Sequence, residues 1–179
     1  MLAVCSLAPL LAAADPAPSE FMSVDIQERA TGTFYIAGAI EGVGELDMLV
    51  DTGSSYLVIT DTMLELLKTA DRVKYSRNLE GRMADGTTRV IPLYRLAGIR
   101  LGEACWLYDV EAAVFPAGSR PILGMNVLAR LAPFTLSTHP AQLGLTHCGK
   151  PMPTPPAVEE SRVAPAGAPL ASAAAASHP

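Results

Sequence analysis

Leu49-Val50-Asp51-Thr52-Gly53-Ser54-Ser55 is an apolar run that ends on a carboxylate and passes at once into Thr, Gly and two Ser. A second apolar run, Leu57-Val58-Ile59, follows directly, so the loop is held near the interior at both ends. Burying an isolated carboxylate is costly. Backbone N–H groups and hydroxyls that reach back to it offset that cost. Taken alone, Asp-Thr-Gly is a tight turn in which Asp51 caps its own loop. Its surroundings change that reading.

Outward from this loop the chain reads as short strands. Thr33–Ile40 and Glu45–Val50 flank the Glu41–Gly44 turn and make a hairpin. Ser55–Thr60 is a third strand, and Thr60 or Asp61 can cap a short helix over Met63–Thr69. Asp85-Gly86 is a hairpin signal between Asn78–Ala84 and Thr87–Leu93. Leu96–Leu101 and Cys105–Val114 flank another turn at Gly102-Glu103. A second short helix is predicted over Met125–Leu131, and Thr135–Ser137 and Gln142–Thr146 close the domain as strands. There is no βαβ alternation, so the fold class is all-β with one or two short helices.

Some 70 residues beyond Asp51 lies Pro121-Ile122-Leu123-Gly124-Met125-Asn126, two large apolar residues and a Gly before a helix. Between the two motifs sits a hairpin with a polar tip, Ala84-Asp85-Gly86-Thr87. This order resembles the single-domain, retropepsin-like aspartic proteases, and within them the exported bacterial members. The resemblance spans Gly32–Leu145 and implies a retropepsin-like β-barrel that supplies half an active site per chain. It implies that Asp51 is the catalytic carboxylate, that Thr52 braces two active-site loops across a dimer, and that Gly53 offers its N–H to the carboxylate. Ser54 stands where retroviral members commonly carry alanine. A hydroxyl beside Asp51 favours the ionised form and predicts a more acidic optimum. By the same resemblance Ala84, Asp85, Gly86 and Thr87 form a flap tip over substrate, and Ile122, Leu123 and Gly124 form a structural loop beneath the active site.

The chemistry requires a pair. Peptide hydrolysis by this route uses one carboxylate to deprotonate water and a second, protonated, to polarise the carbonyl. Two carboxyls about 3 Å apart share one proton and titrate as a unit. The chain has one such motif, so the second Asp51 must come from a two-fold mate. No cofactor and no metal is required. The expected partners are a second copy, as a homodimer, and a protein or peptide substrate. A catalytically silent peptide-binding or dimerisation module on the same fold is the alternative, and a plain β-domain is a third.

Length and composition agree with this scale. At 179 residues the chain holds one ordinary domain and tails, not two similar lobes. Half the residues are hydrophobic, the net charge is -5 and no basic cluster occurs, which argues against nucleic acid. The three Cys and three His lack zinc spacing. Cys105 and Cys148 can pair in an oxidising compartment or stay as buried thiols. Residues 1–14 read as a signal peptide, with Ala12-Ala13-Ala14 as the cleavage pattern but no preceding Lys or Arg. That predicts an exported protein, periplasmic or secreted, with no membrane span in the mature chain. Residues 15–30 are assigned to an N-terminal extension and 31–149 to the protease domain. Residues 150–179, with seven of the fifteen prolines, form a Pro/Ala-rich disordered tail. Leu57, Ile91 and Val114 are the expected apolar cleft.

Overall fold

Alternation sets the first three strands. In β1 (Met22–Ala30) Val24 and Ile26 face inward while Ser23, Asp25 and Gln27 face solvent. In β2 (Thr33–Ile40) Phe34, Ile36, Gly38 and Ile40 are buried at every second position. β3 (Gly44–Val50) returns antiparallel to β2, pairing Ile36 with Met48 and Tyr35 with Leu49. The computed structural model describes residues 21–150 apart from Thr31 and Ala84. The segment read as a signal peptide, the start of the stretch assigned to an N-terminal extension and nearly all of the expected tail lie outside the described residues, as does Ala84 of the expected flap.

Seven further strands follow: β4 (Leu57–Thr60), β5 (Val73–Arg82), β6 (Thr88–Leu101), β7 (Cys105–Phe115), β8 (Ile122–Leu123), β9 (Thr135–Thr138) and β10 (Ala141–Leu145). They form one ten-stranded sheet in the order β5-β6-β7-β4-β8-β3-β2-β1-β10-β9. β6 also pairs with β2, Ile99 beside Ile40 and Leu101 beside Gly38, which curls the sheet back on itself. Helix α1 (Asp61–Thr69) starts where Thr60 Oγ1 accepts the Met63 N–H at 3.2 Å, and it buries Leu64 and Leu67. α2 (Met125–Leu128) is one turn long and passes into a 3-10 turn at Ala129–Leu131. Ile36, Ile40, Met48, Leu57, Ile59, Leu96, Ile99, Leu123 and Leu128 fill the enclosed core. Val58, Ile91, Leu93 and Ala113 make a smaller cluster where β4, β6 and β7 meet. No helix among the described residues is long and apolar enough to cross a membrane.

Three of the expected elements need correction. The stretch assigned to an N-terminal extension contains β1, which pairs with both β2 and β10 and so belongs to the sheet. Ile122 and Leu123, expected as a loop, form β8, because their backbone fills the gap between β3 and β4. The Asp85-Gly86 hairpin is longer than expected, β5 and β6 running together from Val73–Leu96 to Arg82–Thr88. Cys105 and Cys148 form a disulfide, Cα–Cα 4.7 Å, and the chain beyond it adds a bridge from Gly149 to Trp106.

Candidate active site

Asp51 sits where β3 stops. Its N–H donates to the Leu123 carbonyl at 3.1 Å, and the Leu49 N–H donates to Pro121 at 2.9 Å, so β8 carries the strand to its last residue. The Gly53 N–H donates to Asp51 Oδ1 at 2.8 Å, fixing one carboxylate oxygen. The chain crosses above β8 before it re-enters the sheet as β4. It is fastened from below there: Met125 N–H donates to the Ser54 carbonyl at 2.8 Å and Asn126 N–H to the Ser55 carbonyl at 3.1 Å. The Asn126 side chain then accepts the Leu57 N–H at 2.8 Å and donates to the Glu111 carbonyl at 2.7 Å. The Asp51 side chain is half-buried, and Thr52 and Gly53 are exposed. The Thr52 hydroxyl has no hydrogen-bond partner among the described residues.

Gly124 makes this stacking possible. A Cβ there would collide with the Tyr56 carbonyl oxygen and lie 2.9 Å from that of Ser54. Both obstacles are backbone, which cannot swing aside as a side chain can. Gly124→Ala should lower stability by about 2 kcal/mol, as overpacking usually does. A urea midpoint moved down at constant slope would show it, and an unchanged midpoint would mean that the loop relaxes freely.

Ser54 departs from expectation. Its hydroxyl donates to the Tyr56 carbonyl at 2.9 Å, so within the protomer it closes the loop and does not touch Asp51. The reasoning that linked this hydroxyl to a more acidic optimum therefore lacks its contact. The loop geometry explains why: the turn at 53–54 aims residue 54 forward along the chain to residue 56.

The hairpin expected as a flap is the end of β5–β6. Met83 N–H donates to Thr87 at 2.7 Å and Gly86 N–H to Met83 at 2.9 Å. Gly86 has φ +82°, a left-handed turn that glycine adopts without strain. Asp85 Oδ1 accepts the Thr87 hydroxyl at 2.6 Å and the Thr87 N–H at 2.9 Å. The hydroxyl, then the N–H, hold the Asp85 carboxyl below its ordinary range. Asp85 is thus committed to shaping the tip.

Between flap and loop lies a groove of about 550 Å³. Gly53, Ser54 and Tyr56 form one side, Leu79, Gly81 and Met83 the other, and Val58, Ile91, Ala113 and Phe115 the floor. Of the three residues expected in the cleft, Ile91 is there. Leu57 is fully buried in the core instead, because the apolar run at β4 alternates and Val58 takes the groove side. Val114 faces a smaller hollow beside Arg89 and Asp61.

Residues 36–130, more than half of the chain, match the model of a family described as "gag-polyprotein putative aspartyl protease". The chain belongs to this retropepsin-like aspartic protease family. The fold agrees: a crystal structure of a retropepsin-like aspartic protease from Rickettsia conorii superposes with a TM-score of 0.52 at 21% identity. That match covers 71% of this chain and 92% of the other. No curated protein matches the chain significantly. Among the described residues no group of three or more His, Cys, Asp or Glu is placed to hold a metal ion.

Two polar residues beside the candidate site are not singled out by the sequence. Asn126 reads in the sequence as part of a short helix, yet a lone amide in the first turn of an apolar segment is the kind of group that must find partners. Glu111 reads as one residue of a strand. Its carboxylate accepts the Ser76 hydroxyl at 2.6 Å and Arg77 at 2.8 Å. Ser76 first, and Arg77 with it, hold its pKa below the usual carboxylate range against the opposing effect of burial. A lowered folded pKa adds stability above the unfolded value, and that stability is lost as pH falls through the folded value. Wild type should therefore lose more stability than Glu111→Gln between about pH 6 and about pH 3. Parallel urea midpoints in the two proteins would refute this.

Proposed function

We propose that the chain is an aspartic endopeptidase that acts as a homodimer, with one Asp51 from each copy. The observation that carries this reading is Asp51 itself, presented at the end of β3 with one oxygen held by the Gly53 N–H, beside an open groove under a hairpin flap. In the reaction a water lies between the two carboxyls. The ionised one takes its proton, and the protonated one donates a hydrogen bond to the scissile carbonyl. Water oxygen bonds to the carbonyl carbon, the carbonyl electron pair moves to oxygen, that oxygen takes the proton of the second carboxyl, and a tetrahedral diol forms. The diol then collapses: one hydroxyl gives its proton to the ionised carboxyl and becomes the new carbonyl, the C–N bond breaks with its electrons passing to nitrogen, and nitrogen takes the proton of the other carboxyl, so the pair again holds one proton.

Two features support the second copy. The chain carries a single Asp-Thr-Gly, and the Thr52 hydroxyl at the exposed end of the loop is available to a mate. The substrate is an extended peptide with an apolar side chain for the groove floor. Export to a periplasmic or extracellular site is part of the proposal, supported by the Cys105–Cys148 disulfide, since such bonds persist in oxidising compartments. The test is incubation of residues 15–179 with unfolded proteins across acid to neutral pH, reading new termini by mass spectrometry. New termini absent from an Asp51→Asn control support the proposal. A folded dimer that binds peptides and never cuts them would replace it with the silent module.

A further inference from the structure

Strand β5 carries a bulge beside the groove. Its register against β6 shifts between Tyr75↔Tyr94 and Arg77↔Leu93, which leaves Ser76 as the extra residue. In a regular strand residues 76 and 77 point to opposite faces. A bulge breaks that alternation and re-aims side chains. Here both neighbours reach one carboxylate, Ser76 Oγ to Glu111 Oε1 and Arg77 Nη2 to Oε2. The same Arg77 nitrogen donates to the Tyr56 hydroxyl at 3.3 Å. Tyr56 belongs to the loop that follows Asp51, and it lines the groove.

Glu111 has one other cation near it. Arg95 approaches Oε1 at 3.8 Å but is paired more closely with Asp109, at 2.8 Å. Arg77 is therefore the principal counter-charge of Glu111. The carbonyl of Glu111 also accepts from Asn126, which holds the Leu57 N–H. One residue of β7 thus ties together the base of the flap, the phenol of the active-site loop and the point where that loop re-enters the sheet.

We propose that Arg77 is a positioning residue: held by Glu111 across the Ser76 bulge, it fixes the Tyr56 ring as a wall of the substrate groove and fastens the flap base to the active-site loop. The inference rests on the protease reading. An aromatic ring held in place before substrate arrives spares the complex the entropy of ordering it on binding. Tyr56 lines the groove and takes no part in the proposed proton transfers, so the effect belongs in KM and not in kcat.

The test uses Arg77→Met, Tyr56→Phe and the double variant in the full chain. Each single variant should raise KM about fivefold with kcat changed less than about twofold. The double variant should be no worse than the worse single one, because both remove the same link. Tyr56→Phe leaves the Arg77–Glu111 pair intact, so a purely structural role for Arg77 would leave its KM unmoved. Hydrogen exchange supplies a readout independent of turnover: Arg77→Met should speed exchange in residues 78–91 while that of β2 and β3 stays constant. Effects on KM that multiply in the double variant would overturn the proposal, as would flap exchange equal to wild type. Were wild type to cut no peptide, the protease reading would fall and the exchange comparison would still decide whether the link exists.

Discussion

Asp51→Asn should abolish hydrolysis and leave the protein folded. Asparagine has the same shape, and its amide oxygen can still accept the Gly53 N–H that now ends at Asp51 Oδ1. The backbone bonds that seat the loop, from Asp51 to Leu123 and from Met125 to Ser54, involve no side chain and survive. What disappears is the group that takes a proton from water. Loss of such a group costs up to about 10^4-fold in rate, and kcat/KM should fall by that order. Thermal unfolding should stay within a few degrees of wild type.

Mixed dimers make the same variant a test of the two-chain site. If each site needs two intact Asp51 side chains, only dimers of two wild-type chains are active. After exchange with an equal amount of the variant, activity per wild-type chain should fall to about one half, since random pairing leaves half the wild-type chains with a variant mate. Chains that work alone would keep full activity per wild-type chain. That result would sink the homodimer mechanism even if Asp51 proved essential.

Loss of the Cys105–Cys148 disulfide should be the largest effect on stability. The bond joins positions 43 residues apart in sequence. In the chain-entropy account, closing a loop of that length destabilises the unfolded state by about 4 kcal/mol. The folded state also loses a fixed contact, because Cys105 is fully buried at the start of β7 and the chain after Cys148 pairs with Trp106. Cys105→Ser with Cys148→Ser should therefore lower the urea midpoint sharply. Reductant should do the same to wild type and nothing further to the double variant. Equal midpoints with and without reductant would show that the pair does not form in solution. The site itself lies elsewhere in the sheet, so the residual folded fraction should keep its activity.

Much of this was legible beforehand because it is local. The β2–β3 hairpin was readable from Thr33 to Val50, since alternation and the Glu41–Gly44 turn act over neighbouring residues. The cap at Thr60 and the turn at Asp85-Gly86 were readable for the same reason. Asp51 stands out in the sequence because a carboxylate between two apolar runs is anomalous without a purpose. Strand β1 was missed: Met22–Ala30 is half polar, and its inward residues Val24 and Ile26 gain meaning only from β2 and β10 on either side. Leu57 was misplaced because a run of apolar residues does not say which face each one takes.

The amino-acid order alone thus determined the strand-rich class, the hairpins and the one carboxylate worth betting on, because propensity, alternation and turn chemistry act over a few residues. Three things were decided only in the tertiary structure. Ile122 and Leu123 became a strand because β3 and β4 left a gap that two residues of backbone could bridge. The bulge at Ser76 turned a serine and an arginine toward one glutamate 34 residues or more away. Cys105 and Cys148 meet because the start of β7 and the segment around Gly149 run side by side. Each depends on groups far apart in the chain being brought to hydrogen-bonding or bonding distance, and only the closed sheet does that.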